Sequence, residues 1–262
     1  TDIDSQKRNA ALLEQRIAER TAKLQQTVQE LEGFSYSLSH DMRAPLRAMR
    51  SYAEIAQREC SHNQDALACD YLGRIIESAQ RLDHLILDSL NYSQILRDEL
   101  PVRTVELAGL LRGIIDSNPN LEPPAAEIRV AFKQLLVRGN EAALTQCFSN
   151  LLDNAAKFTA PNTKPRVNIR AQELTAQALL AEKQGPPKTV RVWVEDNGIG
   201  IPKDSQEMIF GMFQRMHPEQ AYPGTGIGLA IVKKAVERMG GKVGVESEVN
   251  RGSRFWVELP AG

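Results

Sequence analysis

The sequence predicts a helical hairpin led by a coiled coil, a dimeric four-helix bundle once two copies pair, followed by an α/β two-layer sandwich on a mixed sheet. Three observations predict it. The first 97 residues contain one proline, Pro45, and two glycines, Gly33 and Gly73, so little interrupts helix there. After the segment Arg97 to Val102, proline and glycine become common and apolar residues alternate along short stretches. Between those stretches stand two strong helical patterns, Glu141 to Phe158 and Gly226 to Met239. Strands and helices that mix without strict alternation suggest one sheet under one helical layer, and 262 residues suit two domains.

The N-terminal elements follow in order. Ile17, Leu24, Leu31 and Leu38 recur every seven residues, a period that winds helices about each other. Val28 strengthens the companion positions, while Glu14, Thr21 and Ser35 weaken them. A short coiled coil and a plain amphipathic helix fit this pattern equally well. Pro45 removes a backbone donor and crowds the preceding turn, which predicts a kink. Ser61 to Gln64 reads as a turn. A second helix then carries Leu67, Tyr71, Ile75, Leu82, Leu85, Leu90 and Ile95 on one face. Such a hairpin leaves an apolar stripe that a second copy would bury.

In the second half, Arg166 to Ala171, Thr189 to Glu195, Lys242 to Ser247 and Arg254 to Leu259 alternate as strands. Gln172 to Lys188 reads as a local insertion, part helical, ending in Gly185-Pro186-Pro187. The expected limits are 1–33 for the leading helix, 34–98 for the hairpin and 99–262 for the sandwich.

Charge and cysteine content narrow the function classes. Lys and Arg number 32 against 33 Asp and Glu, a net charge of −1 that gives no case for nucleic acid or an anionic membrane as partner. No apolar run approaches the roughly 20 residues a membrane helix needs, and no signal peptide is visible. Cys60, Cys69 and Cys147 are odd in number and form no C-x-x-C pair, so reduced thiols and a cytoplasmic location are expected. Thr1 in place of Met suggests that a further part of the protein precedes it.

Four patterns in the second half carry chemistry. Asn150, Asn154 and Lys157 sit within about 60° of one another on a helix, opposite the apolar stripe of Leu144, Phe148, Leu151, Leu152 and Ala155. Alone, such a face could be merely solvated. Asp196-Asn197-Gly198-Ile199-Gly200 places a carboxylate at a strand end before two glycines that permit close backbone approach; alone it could be a tight turn. Gly224-Thr225-Gly226-Ile227-Gly228 opens a helix, exposing N–H groups and the positive end of its dipole to phosphate. No Gly-Lys-Ser/Thr follows and no strand leads in, so it is neither a Walker loop nor a dinucleotide fingerprint. Phe210 and Phe213 precede a polar run, Gln214 to Pro223, that reads as a flap.

In this order the four, NLLDNAAKFT, EDNGIGI, IFGMF and GTGIGLAIV, resemble the N, G1, F and G2 boxes of the histidine-kinase ATP-binding domain, of the Bergerat-fold family. The resemblance implies roles. Asp196 would accept from the adenine amino group, and Ser253 would support it. Asn154 would hold Mg²⁺ through its side-chain oxygen, a hard ligand for a hard cation. Asn150 and Lys157 would approach the phosphates. Gly224, Thr225, Gly226 and Gly228 would line them, with Gly198, Gly200, Phe210 and Phe213 shaping the rest of the ATP site.

The stretch FSYSLSHDMRAPLRAM, Phe34 to Met49, resembles the H box of the dimerisation and histidine-phosphotransfer domain, closest to the phytochrome-like branch. His40, between Ser39 and Asp41, would be the phosphoacceptor. A neutral imidazole, with an unperturbed pKa near 6.5, is a nucleophile at pH 7, and Asp41 can take the proton of its other ring nitrogen. His62, His84 and His217 lack that setting. The segment LEQRIAERTAKLQQTVQELE resembles a signalling helix that joins an upstream sensor. The resemblance therefore implies a sensor histidine kinase core: a homodimer that uses Mg-ATP to phosphorylate itself and passes the group to an aspartate of a response regulator receiver domain. In many of these kinases Thr or Asn stands four residues after the histidine and positions a water for dephosphorylating the regulator. Here it is Ala44, which predicts weak phosphatase activity. Rival readings, a chaperone-like or topoisomerase-like ATPase, a non-catalytic scaffold or a serine kinase of the anti-sigma type, do not account for His40, Asp41 and Pro45 alongside an intact set of boxes.

Overall fold

The computed structural model describes residues 14–21, 42, 44–56, 58, 65–97, 101–175, 188–216, 222 and 224–262. The heptad positions beyond Thr21, the Ser61 to Gln64 turn and the 176–187 part of the insertion lie outside these residues; Pro45 is helical, but His40, Asp41 and Arg43, where its kink is expected, also lie outside them. The chain forms two compact units, Thr1–Leu85 and Ile86–Gly262.

In the first unit, residues 14–21 and 44–56 are helical; the latter is α1. Helix α2 runs from Asp65 to Arg97 and continues into the second unit. Tyr52 of α1 stacks on Tyr71 of α2 with ring centroids 6.1 Å apart, and Arg74 lies over the Tyr52 ring at 5.6 Å. Among the described side chains, the apolar face of α2 differs from the sequence expectation at one residue. Leu85, Tyr92 and Ile95 are buried, but Leu90 is 55% exposed. A helical face that holds Leu85, Ser89 and Tyr92 steps by four and three residues, and Leu90 falls outside that step. Leu72, Ile76 and Leu87 are exposed with it.

The second unit is a two-layer α/β sandwich. Its elements after α2 are β1 (Arg103–Glu106), α3 (Leu107–Asp116), β2 (Glu127–Val130), β3 (Leu136–Gly139), α4 (Glu141–Lys157), β4 (Arg166–Thr175), β5 (Lys188–Asp196), α5 (Gly228–Arg238), β6 (Lys242–Glu248) and β7 (Gly252–Pro260). The main sheet has the order β2-β4-β5-β7-β6, and β1 pairs with β3 separately. Only β2 and β4 are parallel, which makes the sheet mixed as expected. Strands β4 and β5 form one long antiparallel pair reaching Thr175 and Lys188, so the expected insertion begins as strand at Gln172–Thr175.

Strand alternation sets the core. Val167 and Ile169 of β4, Val190, Val192 and Val194 of β5, and Phe255, Val257 and Leu259 of β7 are buried, and the register sets Val194 beside both Ile169 and Phe255. Against this face lie Leu144, Phe148, Leu151, Leu152 and Ala155 of α4 and Ile231, Val232, Ala235 and Val236 of α5, all buried. Each fully buried aliphatic side chain contributes about 1.5–3 kcal/mol, so this interlayer is the dominant stabilising feature of the unit. On the outer face Trp193 and Trp256 are register partners, and Arg191 lies 5.8 Å and 4.7 Å from their ring centroids while pairing with Glu258.

Candidate functional site

The sandwich brings α4, the β5 end and the loop before α5 together. Asn150, Asn154 and Lys157 share the face of α4 that turns from the sheet. Lys157 Nζ would lie 2.9 Å from a Cβ on Gly224, and Asn150 Oδ1 3.1 Å from one on Gly228. Any side chain at either glycine would meet one of these two polar groups. Asn150 Nδ2 is buried without a hydrogen-bond partner. Burying an amide donor unpaired costs on the order of 1–3 kcal/mol, and a ligand oxygen would recover it.

The start of α5 is open in the same place. Its N-cap is Ile227, no side chain caps it, and its first turn carries no acid. Helices α3 and α4 of the sandwich are capped by side chains. Glu106 accepts from Ala108 N and Gly109 N at the start of α3, and Asn140 accepts from Ala143 N at the start of α4. Thr225 Oγ1 accepts from Ile227 N at 3.3 Å and donates to Asp88. Lys157 has its pKa lowered by burial and by the nearby Arg215 charge, against the opposing pull of Asp153 and Asp88. A desolvated ammonium beside uncapped helix N–H groups suits a phosphate.

The other end of the site is built around Asp196, the last residue of β5. Its Oδ1 accepts from Gly198 N at 2.8 Å and from Ser253 N at 3.0 Å, which leaves Oδ2 for a ligand donor. Burial raises its pKa, and those two N–H bonds pull it back only in part. Gly198 and Gly200 are glycines for packing reasons that serve this geometry. A Cβ on Gly198 would come within 2.5 Å of Phe158 O, and one on Gly200, at φ +73°, within 2.1 Å of Glu248 O. Ile199 N donates to Phe158 O at 2.9 Å, which ties the end of α4 to the turn after β5.

Phe210 meets Phe255 of β7 edge-on, with centroids 6.4 Å apart. Phe213 has φ +59°, and its backbone would lie 3.0 Å from a Cβ on Gly226. The two phenylalanines thus act differently, one as a core anchor and one as a backbone stop against the glycine loop. Of the expected flap, 214–216 and Tyr222 are described. Tyr222 lies against Phe158 at 5.2 Å, its hydroxyl donates to Thr159 O, and its carbonyl accepts from Arg215.

Sequence reasoning missed several supports. Asn197 accepts from Arg166 N and donates to Lys164 O, pinning the loop before β4. Gln206 donates to Ile201 O and Ser247 O, and Ser247 contacts Ser253. Asn197 sits inside a glycine pattern and Ser247 ends an alternating strand, but neither pattern shows these partners, which are distant in sequence. His40 and Asp41 lie outside the described residues, so this geometry does not extend to the expected phosphoacceptor. Among the described residues no cluster of three or more His, Cys, Asp or Glu could hold a metal, and no helix is long and apolar enough to cross a membrane.

Comparison with known proteins agrees with this geometry. Residues 139–262 match the family of histidine kinase-, DNA gyrase B- and HSP90-like ATPases, and residues 30–97 match the His Kinase A (phospho-acceptor) domain. The chain belongs to the histidine kinases. Among relatives of this kinase core, cyanobacterial phytochrome B of Nostoc sp. is 32% identical over 93% of this chain and 31% of its own length. The sensor protein GacS of Pseudomonas syringae is 29% identical over 86% of this chain and 24% of its own length. The core spans about a third or less of these relatives. Full-length ShkA in complex with AMPPNP is 26% identical with a TM-score of 0.57, covering 88% of this chain and 46% of that one. The histidine kinase AdeS of Acinetobacter baumannii shares the fold at 15% identity and a TM-score of 0.61, covering 85% and 98%.

Proposed function

We propose that this chain is the catalytic core of a sensor histidine kinase, which binds Mg-ATP, phosphorylates His40 and transfers the phosphoryl group to an aspartate of a receiver domain. The observation that carries the reading is the uncapped start of α5 beside the unpartnered Asn150 Nδ2 and the desolvated Lys157. These are groups a phosphate would satisfy, and the AMPPNP bound to the related ShkA supports the same reading.

Asp196 Oδ2 would accept from the adenine amino group. Lys157, Asn150 and the N–H groups of Gly224 to Gly228 would hold the phosphates. Asn154, one helical turn from Asn150 on the same face, offers a neutral oxygen of the kind Mg²⁺ accepts. The metal would offset phosphate charge, and it shares that task with Lys157 and the α5 dipole. His40 would attack the γ-phosphorus through its unprotonated nitrogen while Asp41 takes the proton from the other. The P–N bond forms as the bond to ADP breaks.

The working division is a signalling helix at 1–33, a dimerisation and phosphotransfer domain at 34–98 and an ATP domain at 99–262. The exposed Leu72, Ile76, Leu87 and Leu90 on α2 support pairing with a second copy. An upstream sensor and a cytoplasmic location belong to the same reading.

Incubation with γ-labelled ATP and Mg²⁺ tests it. The expected label is acid-labile and alkali-stable, and His40→Gln and Asn154→Ala both abolish it. Acid-stable label, or label that survives His40→Gln, would overturn the assignment. Because Ala44 cannot hydrogen-bond a water, the chain should dephosphorylate its regulator slowly, and Ala44→Thr should raise that rate several-fold. An equal rate in both proteins sinks the phosphatase reading.

A further inference from the structure

Behind the base end of the site, Ser253, which the resemblance ties to adenine, is paired with Ser247, which no motif singles out. Ser247 is at the end of β6 and Ser253 at the start of β7, and they are register partners. Ser247 Oγ accepts from Ile201 N at 2.8 Å, donates to Gly252 O at 2.9 Å and lies 2.9 Å from Ser253 Oγ.

Counting donors assigns the hydrogens. A serine hydroxyl has one hydrogen and two lone pairs. Gly252 O can only accept, so the Ser247 hydrogen goes there. Ile201 N–H takes one lone pair of Ser247. The second lone pair can only accept, so the Ser253 hydroxyl donates to Ser247. Ser253 is then left with lone pairs alone. Its N–H is already spent on Asp196 Oδ1, which also takes Gly198 N–H. The polar side-chain atoms left at this end, Asp196 Oδ2 and Ser253 Oγ, are therefore both acceptors.

We propose that Ser247 is a positioning residue for base selection: by taking the Ser253 hydrogen it keeps Ser253 an acceptor beside Asp196, which favours adenine over guanine or hypoxanthine. The proposal rests on the reading of this site as an ATP site. Adenine offers an exocyclic amino donor. Guanine and hypoxanthine carry a carbonyl oxygen at that position, whose lone pairs would face the acceptors. Without Ser247 Oγ, the Ser253 hydroxyl is free to turn its hydrogen toward the ligand and meet that carbonyl.

The test measures the dissociation constants of ATP, GTP and ITP for the whole chain and for Ser247→Ala, with circular dichroism to confirm folding. One neutral hydrogen bond switched from repulsive to favourable corresponds to a change of about five- to tenfold. Ser247→Ala is expected to lower the GTP-to-ATP and ITP-to-ATP ratios of dissociation constants by that factor, and Ser247→Thr, which keeps the hydroxyl, to hold them at the original value. Ser247→Cys, with a weaker acceptor of similar size, should fall between, and it carries the test should the alanine variant not fold. Unchanged ratios overturn the proposal, whether the affinities stay constant or fall together as a purely structural role would make them. If the unaltered chain binds none of the three nucleotides, the ATP reading itself fails and this inference goes with it. A chain that binds ATP but shows no Ser247-dependent ratio sinks only the inference.

Discussion

Helices α4 and α5 form the layer over the same sheet and pack against each other, yet their N-termini are finished in opposite ways. Helix α4 begins at Asn140, whose side chain accepts from Ala143 N at 3.0 Å, and Glu141 adds a negative charge to the first turn. Helix α5 begins at Gly228, the third glycine of its loop, with no capping side chain and no acid in its first turn. A cap contributes about 1 kcal/mol and a first-turn acid a few tenths more. The chain stabilises one helix from within and leaves the start of the other open, where the proposed nucleotide would complete it. The same contrast runs through single groups: Asn140 and Asn197 have partners for their amides, while Asn150 Nδ2 is buried without one.

Asp196 gives the largest expected effect. Burial raises its folded pKa above the usual aspartate value. Between the unfolded and folded values the folded state holds the extra proton, so stability falls as pH rises through that window, and at neutral pH the buried charge is a cost. Asp196→Asn keeps an oxygen for Gly198 N and Ser253 N but removes the charge. Without nucleotide the variant should melt no lower than the unaltered chain. Its ATP affinity should drop about 10- to 150-fold, since a hydrogen bond to a charged acceptor is worth about 1.5–3 kcal/mol. Calorimetry and nucleotide titration on the same sample check both halves. A variant that melts well below the parent would place Asp196 with the self-satisfied groups and break the contrast. In the unaltered chain, ATP affinity should weaken on acidification at a higher pH than an ordinary carboxylate would cause.

Gly226 comes next. At φ +75° it stands in a region that costs an L-residue about 1–2 kcal/mol, and an added Cβ would lie 3.0 Å from the Phe213 backbone. Gly226→Ala should lower stability by about that amount in denaturant unfolding and weaken ATP binding as well, because the open end of α5 is displaced. Loss of stability with unchanged ATP affinity would show that the glycine serves only the turn.

How legible this was in the sequence depends on where the information lay. The long strands β5 and β7 alternate cleanly because one face is buried, and α4 shows its stripe because Leu144, Phe148, Leu151 and Leu152 all face the sheet. The short elements did not show. Each of β1, β2 and β3 has four residues; Glu127–Val130 has no fully buried side chain and is held by its parallel register with Arg166–Ile169. Helix α3, with Leu107, Ala108, Leu111 and Ile114 buried, was hidden by its length and its two glycines. The glycine loop and Asp196 were readable because backbone conformation and charge are local demands. Ser247, Gln206 and Asn197 were not, because their partners lie 5 to 46 residues away.

Asn140 gives the smallest effect and the sharpest control. Its side chain caps α4 at one end of the helix, while Asn150, Asn154 and Lys157, the proposed nucleotide contacts, lie in the second half of the same helix. Asn140→Ala removes the acceptor for Ala143 N and the donor to Pro101 O, the latter exposed at 3.3 Å. The expected loss is about 1 kcal/mol, most of it from the cap. ATP affinity should stay within a factor of two, because the core residues Leu144, Cys147, Phe148 and Leu151 hold the rest of α4 in place. Cys147 reports on that core independently: burial pushes its thiol up to about 12, so it should resist alkylation in the folded state. If Asn140→Ala lowers ATP affinity tenfold while Cys147 stays protected, the two ends of α4 are coupled. The cap would then belong to the nucleotide site instead of standing as its self-contained counterpart.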